Sequence, residues 1–461
     1  MSQPSLSEVD QTRLTMQPET GVRPNPSATR MQLLYGVNQA DECWDFALGP
    51  QRERIWARLR EIDTRIIRLF LFDKGAPDPL TEWPVFAAYV EAILNVGATP
   101  MITFGRFRRP FDDPRAIRWF AEQCADVVWS CLEQWGGEIV RNWYWCMLNE
   151  PNNGWISGGL SFEQYRRLYE AVAHRILHWL GPYLCGRKPL IGGPAVEGFP
   201  PFWWDWPWRF VNEIDNELIS FVDWHRYADW GDCGENGAPH DEATYRALMM
   251  SQALDYEFRA RAVAQLVGGR EILNICGELN THSHYTIPVR ERFNYSVFGA
   301  AFYISALLHL MRGGSNVEMY WTGTEDQGGY GMMDKNGEPR PAFHAKRLCT
   351  QYIRYGDWIW FPTSERGQST LDVVAALGEN GRLSALFVHL KDRVATYTAS
   401  EFADQLSNCR VLLKIDEGTG NQVVEQPCDG TIRFDGYGVA VVTNAVARTD
   451  EAGHLVGYET P

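Results

Sequence analysis

Two carboxylates stand out by where they sit. Glu150 follows the apolar run Trp145-Cys146-Met147-Leu148 and precedes Pro151, in the segment Asn149-Glu150-Pro151-Asn152. Glu278 ends the run Asn274-Ile275-Cys276-Gly277 and is followed by Leu279-Asn280. A charge delivered by an apolar run is poorly explained as a solvated side chain, although either residue alone could be a loop cap or bridge. Together they offer two carboxyl groups from separate elements. Facing each other across a gap, such a pair is what cleavage of a glycosidic bond requires. One carboxyl must be protonated to assist departure of the leaving oxygen, and the other ionised to attack the anomeric carbon or stabilise the cation. Asn149 could bind a sugar hydroxyl beside the reacting carbon, or serve only as a turn amide.

The elements that must position them are legible as an alternation. Short β-rich runs at Leu33–Val37, Arg65–Phe70, Pro100–Phe104, Trp143–Leu148, Pro189–Gly192, Ile219–Trp224, Ile272–Cys276 and Val317–Trp321 read as eight strands. Between them lie helix-period stretches: Trp83–Val96, Ala116–Trp135, Phe162–Leu180, Thr244–Val267 and Tyr295–Met311. Eight βα units in series predict an α/β fold, a (β/α)₈ TIM barrel. In that fold catalytic groups gather at the C-terminal ends of the strands, and strands four and seven lie across the mouth from one another. Glu150 and Glu278 would then face each other.

Beyond the eighth unit the texture changes. Pro341–Arg354 reads as a last helix, and alternating runs follow at Leu371–Leu377, Leu383–Leu390, Gln422–Glu425 and Gly438–Thr443, with a turn at Gly378-Glu379-Asn380-Gly381. The expected organisation is an N-terminal arm or disordered tail over residues 1–30, a catalytic barrel over 31–355 and an antiparallel β-sandwich over 356–461.

Other residues can be placed on this frame. Arg68, ending strand two, would be a costly buried cation unless paired, and Glu278 is the candidate partner. His225 and Tyr227 are two apart on strand six, so they point the same way: Tyr227 could donate to Glu278, and His225 could bind a hydroxyl or tune that carboxylate. Trp321, ending strand eight, would floor the reacting sugar. The run Phe202-Trp203-Trp204-Asp205-Trp206-Pro207-Trp208 follows strand five, and Trp203 and Trp204 are expected to border the cleft, where indole faces stack on sugar rings; a packing plug is the alternative. Glu325 and Asp326 are read as solvated loop charges. No cluster has metal-ligand spacing and no phosphate loop is present, so neither a metal nor a cofactor is expected.

Composition narrows the partners. The 43 basic and 58 acidic residues leave a net charge of −15, which disfavours nucleic acid and anionic lipid surfaces. With 45% hydrophobic and 22% charged residues the chain can bury a sizeable core. Residues 1–30 lack a basic-then-apolar leader pattern, and the ten cysteines show no CxxC spacing, so a reduced cytoplasmic setting is expected.

Four segments in order resemble glycoside hydrolase family 39, the β-xylosidase and α-L-iduronidase family, within the clan of retaining (β/α)₈ hydrolases. They are Asn149-Glu150-Pro151-Asn152; Asp223-Trp224-His225-Arg226-Tyr227; Gly277-Glu278-Leu279-Asn280-Thr281; and Tyr320-Trp321-Thr322 followed by Gly329-Tyr330-Gly331-Met332-Met333 through Gly337-Glu338-Pro339-Arg340-Pro341-Ala342. The resemblance spans roughly Tyr35 to Tyr355. It implies that Glu150 is the acid/base and Glu278 the nucleophile of a retaining hydrolase acting on a saccharide or glycoside. Leu148 stands where the family usually has Trp, and Phe70 where it tends to have His, which leaves the sugar open. An endo-acting glycanase of another family in the clan and a non-catalytic carbohydrate-binding barrel are the alternative readings.

Overall fold

The apolar runs become one closed parallel barrel. Its strands are β1 (Leu34–Asn38), β2 (Ile66–Leu71), β3 (Thr99–Phe104), β4 (Tyr144–Met147), β5 (Ile191–Val196), β6 (Phe221–Tyr227), β7 (Leu273–Asn280) and β8 (Val317–Tyr320). They pair in that order, and β8 closes on β1 through Leu34 opposite Val317. The computed structural model describes residues 27–39, 43–72, 78–105, 112–154, 159–197, 205–228, 242–283, 286–325, 327–362, 370–378, 381–402 and 404–460.

The outer layer is α1 (Arg52–Glu61), α2 (Trp83–Val96), α3 (Pro114–Trp135), α4 (Phe162–Leu180), α5 (Asp205–Glu213), α6 (Ala253–Val267), α7 (Val297–Gly313) and α8 (Pro341–Tyr352). Local chemistry starts several of them. Asp113 accepts from Arg115 N at 2.9 Å ahead of α3, whose first residue is Pro114, and Ser161 forms a capping box with Gln164 at α4. The helix expected over Thr244–Val267 is broken into Glu242–Ser251 and α6. At the break the Ser251 hydroxyl donates to Leu248 O at 2.7 Å, an alternative to the helical ladder.

Inside the barrel Ile66, Met101, Tyr144, Phe221, Ile275, Val317 and Met319 form an apolar plug. Period two makes the next inward residues Arg68 on β2, Thr103 on β3, Cys146 on β4 and Asp223 on β6. Simple alternation from Ile275 would turn Glu278 outward. A bulge corrects the phase: Trp224 pairs with Cys276 but His225 pairs with Glu278, so Gly277 is the extra residue.

The C-terminal strands are β9 (Trp358–Trp360), β10 (Leu371–Leu377), β11 (Leu383–His389), β12 (Val394–Thr398), β13 (Val411–Asp416), β14 (Val424–Pro427), β15 (Thr431–Asp435) and β16 (Gly438–Thr443). A seven-stranded antiparallel sheet runs Thr29–Arg30, β9, β10, β11, β16, β13, β14. One face packs on α7 and α8; the other is covered by the β12–β15 pair over a core that includes Phe387, Tyr397, Phe402, Ile432 and Phe434. This is the expected sandwich, with two differences. Strands β10 and β11 are buried along their whole length because both faces are covered, and the end of the expected arm, Thr29–Arg30, pairs with β9 as an edge strand. Residues 1–26 and the turn residues 379–380 lie outside the described residues.

Candidate active site

Strand ends bring the two carboxyls together. After β4 the chain turns sharply, with Leu148 and Glu150 at φ of 61° and 44°, a left-handed conformation that costs energy in non-glycine residues. Hydrogen bonds from Leu148 N to Phe104 O at 2.8 Å and from Glu150 N to Ala195 O at 2.9 Å hold the turn to β3 and β5. Glu150 therefore leans over the barrel mouth toward β6. From β7, the bulge at Gly277 sends Glu278 inward, and the Gly277 carbonyl accepts from Asn38 Nδ2 of β1 at 2.9 Å. The residues are only 6% and 4% exposed, and a carboxyl oxygen of one lies within 4.8 Å of a carboxyl oxygen of the other.

Arg68 organises the space below them. Its Nη1 donates to Glu278 Oε1 at 3.2 Å, its Nη2 to Asn149 Oδ1 at 3.2 Å, and its Nε to Thr103 Oγ1 at 2.7 Å. His225 Nε2 lies 3.2 Å from Arg68 Nη1, a permanent donor, so Nε2 is the unprotonated nitrogen. The proton then sits on Nδ1, which donates to Glu150 Oε1 at 2.9 Å. Asn153 Nδ2 donates to Glu150 Oε2 at 3.1 Å, and Tyr227 OH to Glu278 Oε2 at 2.9 Å.

These contacts set the protonation. Burial pulls the His225 pKa down, which keeps the ring neutral and consistent with that tautomer. Burial pushes Glu150 up to about 7, against Asn153 and Arg68. Glu278 is also pushed up to about 7 by burial, with His225, Arg68 and Tyr227 opposing and Glu150 adding to the rise. Two carboxyls this close titrate as a pair and share a proton near neutrality. The donors decide where the negative charge rests: Glu278 faces a guanidinium and a phenol, Glu150 a neutral imidazole and an amide. Glu150, His225 and Glu278 also offer ligand atoms close enough to surround a cation. The fixed Arg68 charge, 3.2 Å from both His225 and Glu278, opposes one there.

Arg68 and Tyr227 thus bond Glu278, His225 bonds Glu150 rather than Glu278, and Asn149 reaches the pair only through Arg68. Trp321 is half-buried, its ring 5.5 Å from Phe70 and 6.4 Å from Tyr330, which itself lies 6.4 Å from Tyr227. Trp203 and Trp204 lie outside the described residues. At the end of their run Trp206 is buried on α5, 5.4 Å from Phe162 and 5.3 Å from Tyr165 of α4, while Trp208 is exposed.

Several participants went unread. Glu325 is not a solvated charge: it is buried and its Oε2 accepts from Tyr330 N at 2.5 Å and Gly331 N at 2.7 Å, folding the loop that presents Tyr330. Asp326 lies outside the described residues. Phe70 packs its ring 4.6 Å from the Arg68 guanidinium. Glu197, after β5, is tied to the Glu150 loop by its N–H donating to Asn152 Oδ1 at 3.1 Å, and burial, with the nearby Glu150, pushes it up to about 7. Asp223 lies beneath the pair; the alternation that singled out His225 and Tyr227 reaches it one step earlier on β6.

No protein-family model matches the chain. The β-xylosidase of Geobacillus stearothermophilus is 26% identical over 323 residues, covering 63% of this chain and 60% of that protein. That of Caldicellulosiruptor saccharolyticus is 19% identical over 363 residues, covering 72% of this chain and 69% of that protein. Among solved structures, the GH39 enzyme from Xanthomonas axonopodis pv. citri superposes with a TM-score of 0.60 at 16% identity, covering 90% of this chain and 95% of that one. A family 51 α-L-arabinofuranosidase from Bifidobacterium longum gives 0.61 at 14%, covering 91% and 97%. The shared feature is the architecture: a (β/α)₈ barrel carrying a C-terminal β-sandwich.

Proposed function

We propose that this chain is a retaining glycoside hydrolase of the family 39 type, with Glu278 as nucleophile and Glu150 as acid/base. The observation that carries the reading is the pair of buried carboxyls within 4.8 Å, one gripped by a cation and a phenol. Retaining enzymes hold their carboxyls about 5–5.5 Å apart, against about 6.5–9.5 Å where a water must fit between base and sugar. In the first step a Glu278 oxygen bonds to the anomeric carbon as the glycosidic C–O bond breaks. The departing oxygen takes the electron pair of that bond and the proton of Glu150. In the second step Glu150, now a carboxylate, takes a proton from water as the water oxygen replaces Glu278 at the same carbon. Arg68 and Tyr227 stabilise Glu278 whenever it is ionised, before attack and after release. Asn149, held by Arg68, is placed to bind a hydroxyl of the reacting sugar, with Trp321 beside it.

The names of the curated relatives make β-xylosides the first substrates to test. The eight cysteines whose side chains lie among the described residues are free, which fits the reduced, cytoplasmic setting that belongs to the same proposal. The test is incubation with 2-fluoro glycosides that trap the glycosyl-enzyme, followed by peptide mass mapping. The expected label is on Glu278; a label on another carboxylate, or hydrolysis without Glu278, refutes the assignment.

A further inference from the structure

Below the two carboxyls lies a third that the proposed reaction does not use. Asp223 points into the barrel from β6 and is wholly buried. Its Oδ2 lies 3.7 Å from Arg68 Nη2 and accepts from the Cys146 thiol at 3.6 Å. Its Oδ1 lies 3.9 Å from His225 Nε2 and has no hydrogen-bond partner among the described residues. A buried carboxylate so sparsely bonded is costly unless a charge faces it, and the charge here is Arg68. Burial pulls the Arg68 pKa down, yet the net shift is upward, with Asp223 the foremost of the groups that raise it. Space for the carboxylate comes from the bulge, since a Cβ on Gly277 would stand 2.0 Å from Asp223 Oδ1. The glycine that re-aims Glu278 also makes room for Asp223.

We propose that Asp223 is a positioning residue, the fixed counter-charge of Arg68, which holds the guanidinium between Glu278 and Asn149 and keeps its charge from drawing the proton off Glu150. The groups that face it are Arg68 from β2, Cys146 from β4 and Glu150 beyond it, His225 from β6, Cys276 from β7 and Tyr165 from α4, with Glu278 reached through Arg68 and Tyr227 through Glu278. The thiols and phenols among them are pushed upward by burial and His225 downward, so at neutral pH all of these are uncharged. The balance therefore lies between one cation and three carboxyls. Removing Asp223 leaves the full Arg68 charge to Glu278 and Glu150, and both then ionise at lower pH.

The roles named here rest on the proposed hydrolase reading, but the electrostatic claim can be measured without turnover. Protein carrying ¹³C at glutamate Cδ is titrated by NMR as wild type and as Asp223→Asn, with Glu150 and Glu278 assigned through E150Q and E278Q. The expected result is that both carboxyls titrate about one pH unit or more lower in D223N. The kcat/KM profile on aryl glycosides should move its alkaline limb down by the same amount. Unchanged titrations in folded D223N would overturn the proposal. Wild type without glycosidase activity would refute the functional reading while the titration still decides this one. Should D223N not fold, Asp223→Ser removes the same charge in a smaller volume. Failure of both neutral variants to fold would assign Asp223 to stability and overturn the proposal.

Discussion

A carboxyl as deeply buried as Glu150 is a liability to the fold that the proposed chemistry makes useful. Its pKa rises from 4.5 unfolded to about 7 folded, so the native state binds the proton more tightly. Stability must then fall as pH climbs from about 4.5 through 7, by on the order of 3 kcal/mol if the cost were borne by one carboxyl. Glu150→Gln should therefore raise Tm by a few degrees at pH 8 and leave it unchanged near pH 4, as read by calorimetry. The same variant should lose far more kcat/KM on glycosides with poor leaving groups than on activated aryl glycosides, because only the former need protonation. Equal losses, or a lower Tm at pH 8, would contradict the role. At this scale the sequence disclosed what strand alternation and strand ends disclose: Arg68, Asn149, Glu150, His225, Tyr227 and Glu278. It concealed Glu325, whose partners are backbone amides five and six residues on, reached only because the loop doubles back. It named Asp223 only as the first residue of a matching segment and concealed its contact with Arg68, because that guanidinium comes from a strand far away in the chain.

The elements owe their positions to a few internal bonds as well as to apolar packing. Strand β8 and helix α8 are joined below the site by Lys346, whose Nζ lies 2.7 Å from Glu318 Oε1 and donates to Gly36 O at 2.6 Å, while Tyr303 OH donates to Glu318 Oε2 at 3.1 Å. All are buried, and burial lowers the Lys346 pKa and raises that of Glu318. Lys346→Met should cost about 3–5 kcal/mol in denaturant unfolding, because it strands a buried carboxylate. Adding Glu318→Gln should recover part of that loss; a single variant as stable as wild type would show the pair to be dispensable. The eight barrel strands were readable to within a few residues because parallel strands buried on both faces are apolar runs. The bulge at Gly277 was not, since a one-residue slip in pairing leaves no mark on composition.

At the scale of the molecule the barrel and the sandwich share helix α7. Its sides are buried almost all round because it lies between two layers, and among the described residues no single helix is long and apolar enough to cross a membrane. A polar latch crosses this contact at α7: His309 bonds Glu257 of α6 through Nδ1 at 2.9 Å and faces Asp372 of β10 through Nε2 at 3.4 Å, with Ser305 Oγ donating to Asp372 Oδ2 at 2.5 Å. Burial and Arg312 pull the His309 pKa down, but Asp372 and Glu257 raise it overall. A raised histidine contributes its stability in full below its unfolded pKa, about 6.5, and loses it as pH rises through the folded value. Histidine-to-glutamine substitution at 309 should therefore lower Tm clearly at pH 5.5 and much less at pH 9. A deficit that does not change with pH would mean that the ring is neutral throughout. The layered contact itself was hidden in the sequence: the pairing of Thr29–Arg30 with Trp358–Trp360 joins residues far apart in the chain, which local periodicity does not record.

The central claim is that Glu278 attacks the sugar directly while Glu150 manages the proton. Proton NMR of the sugar released from an aryl glycoside, recorded before mutarotation, tests it most directly. Two displacements each invert the anomeric carbon, so the first-formed product should carry the anomeric configuration of the substrate. A first product of the opposite configuration would mean a single displacement by water, with Glu278 as a base, and would contradict the account.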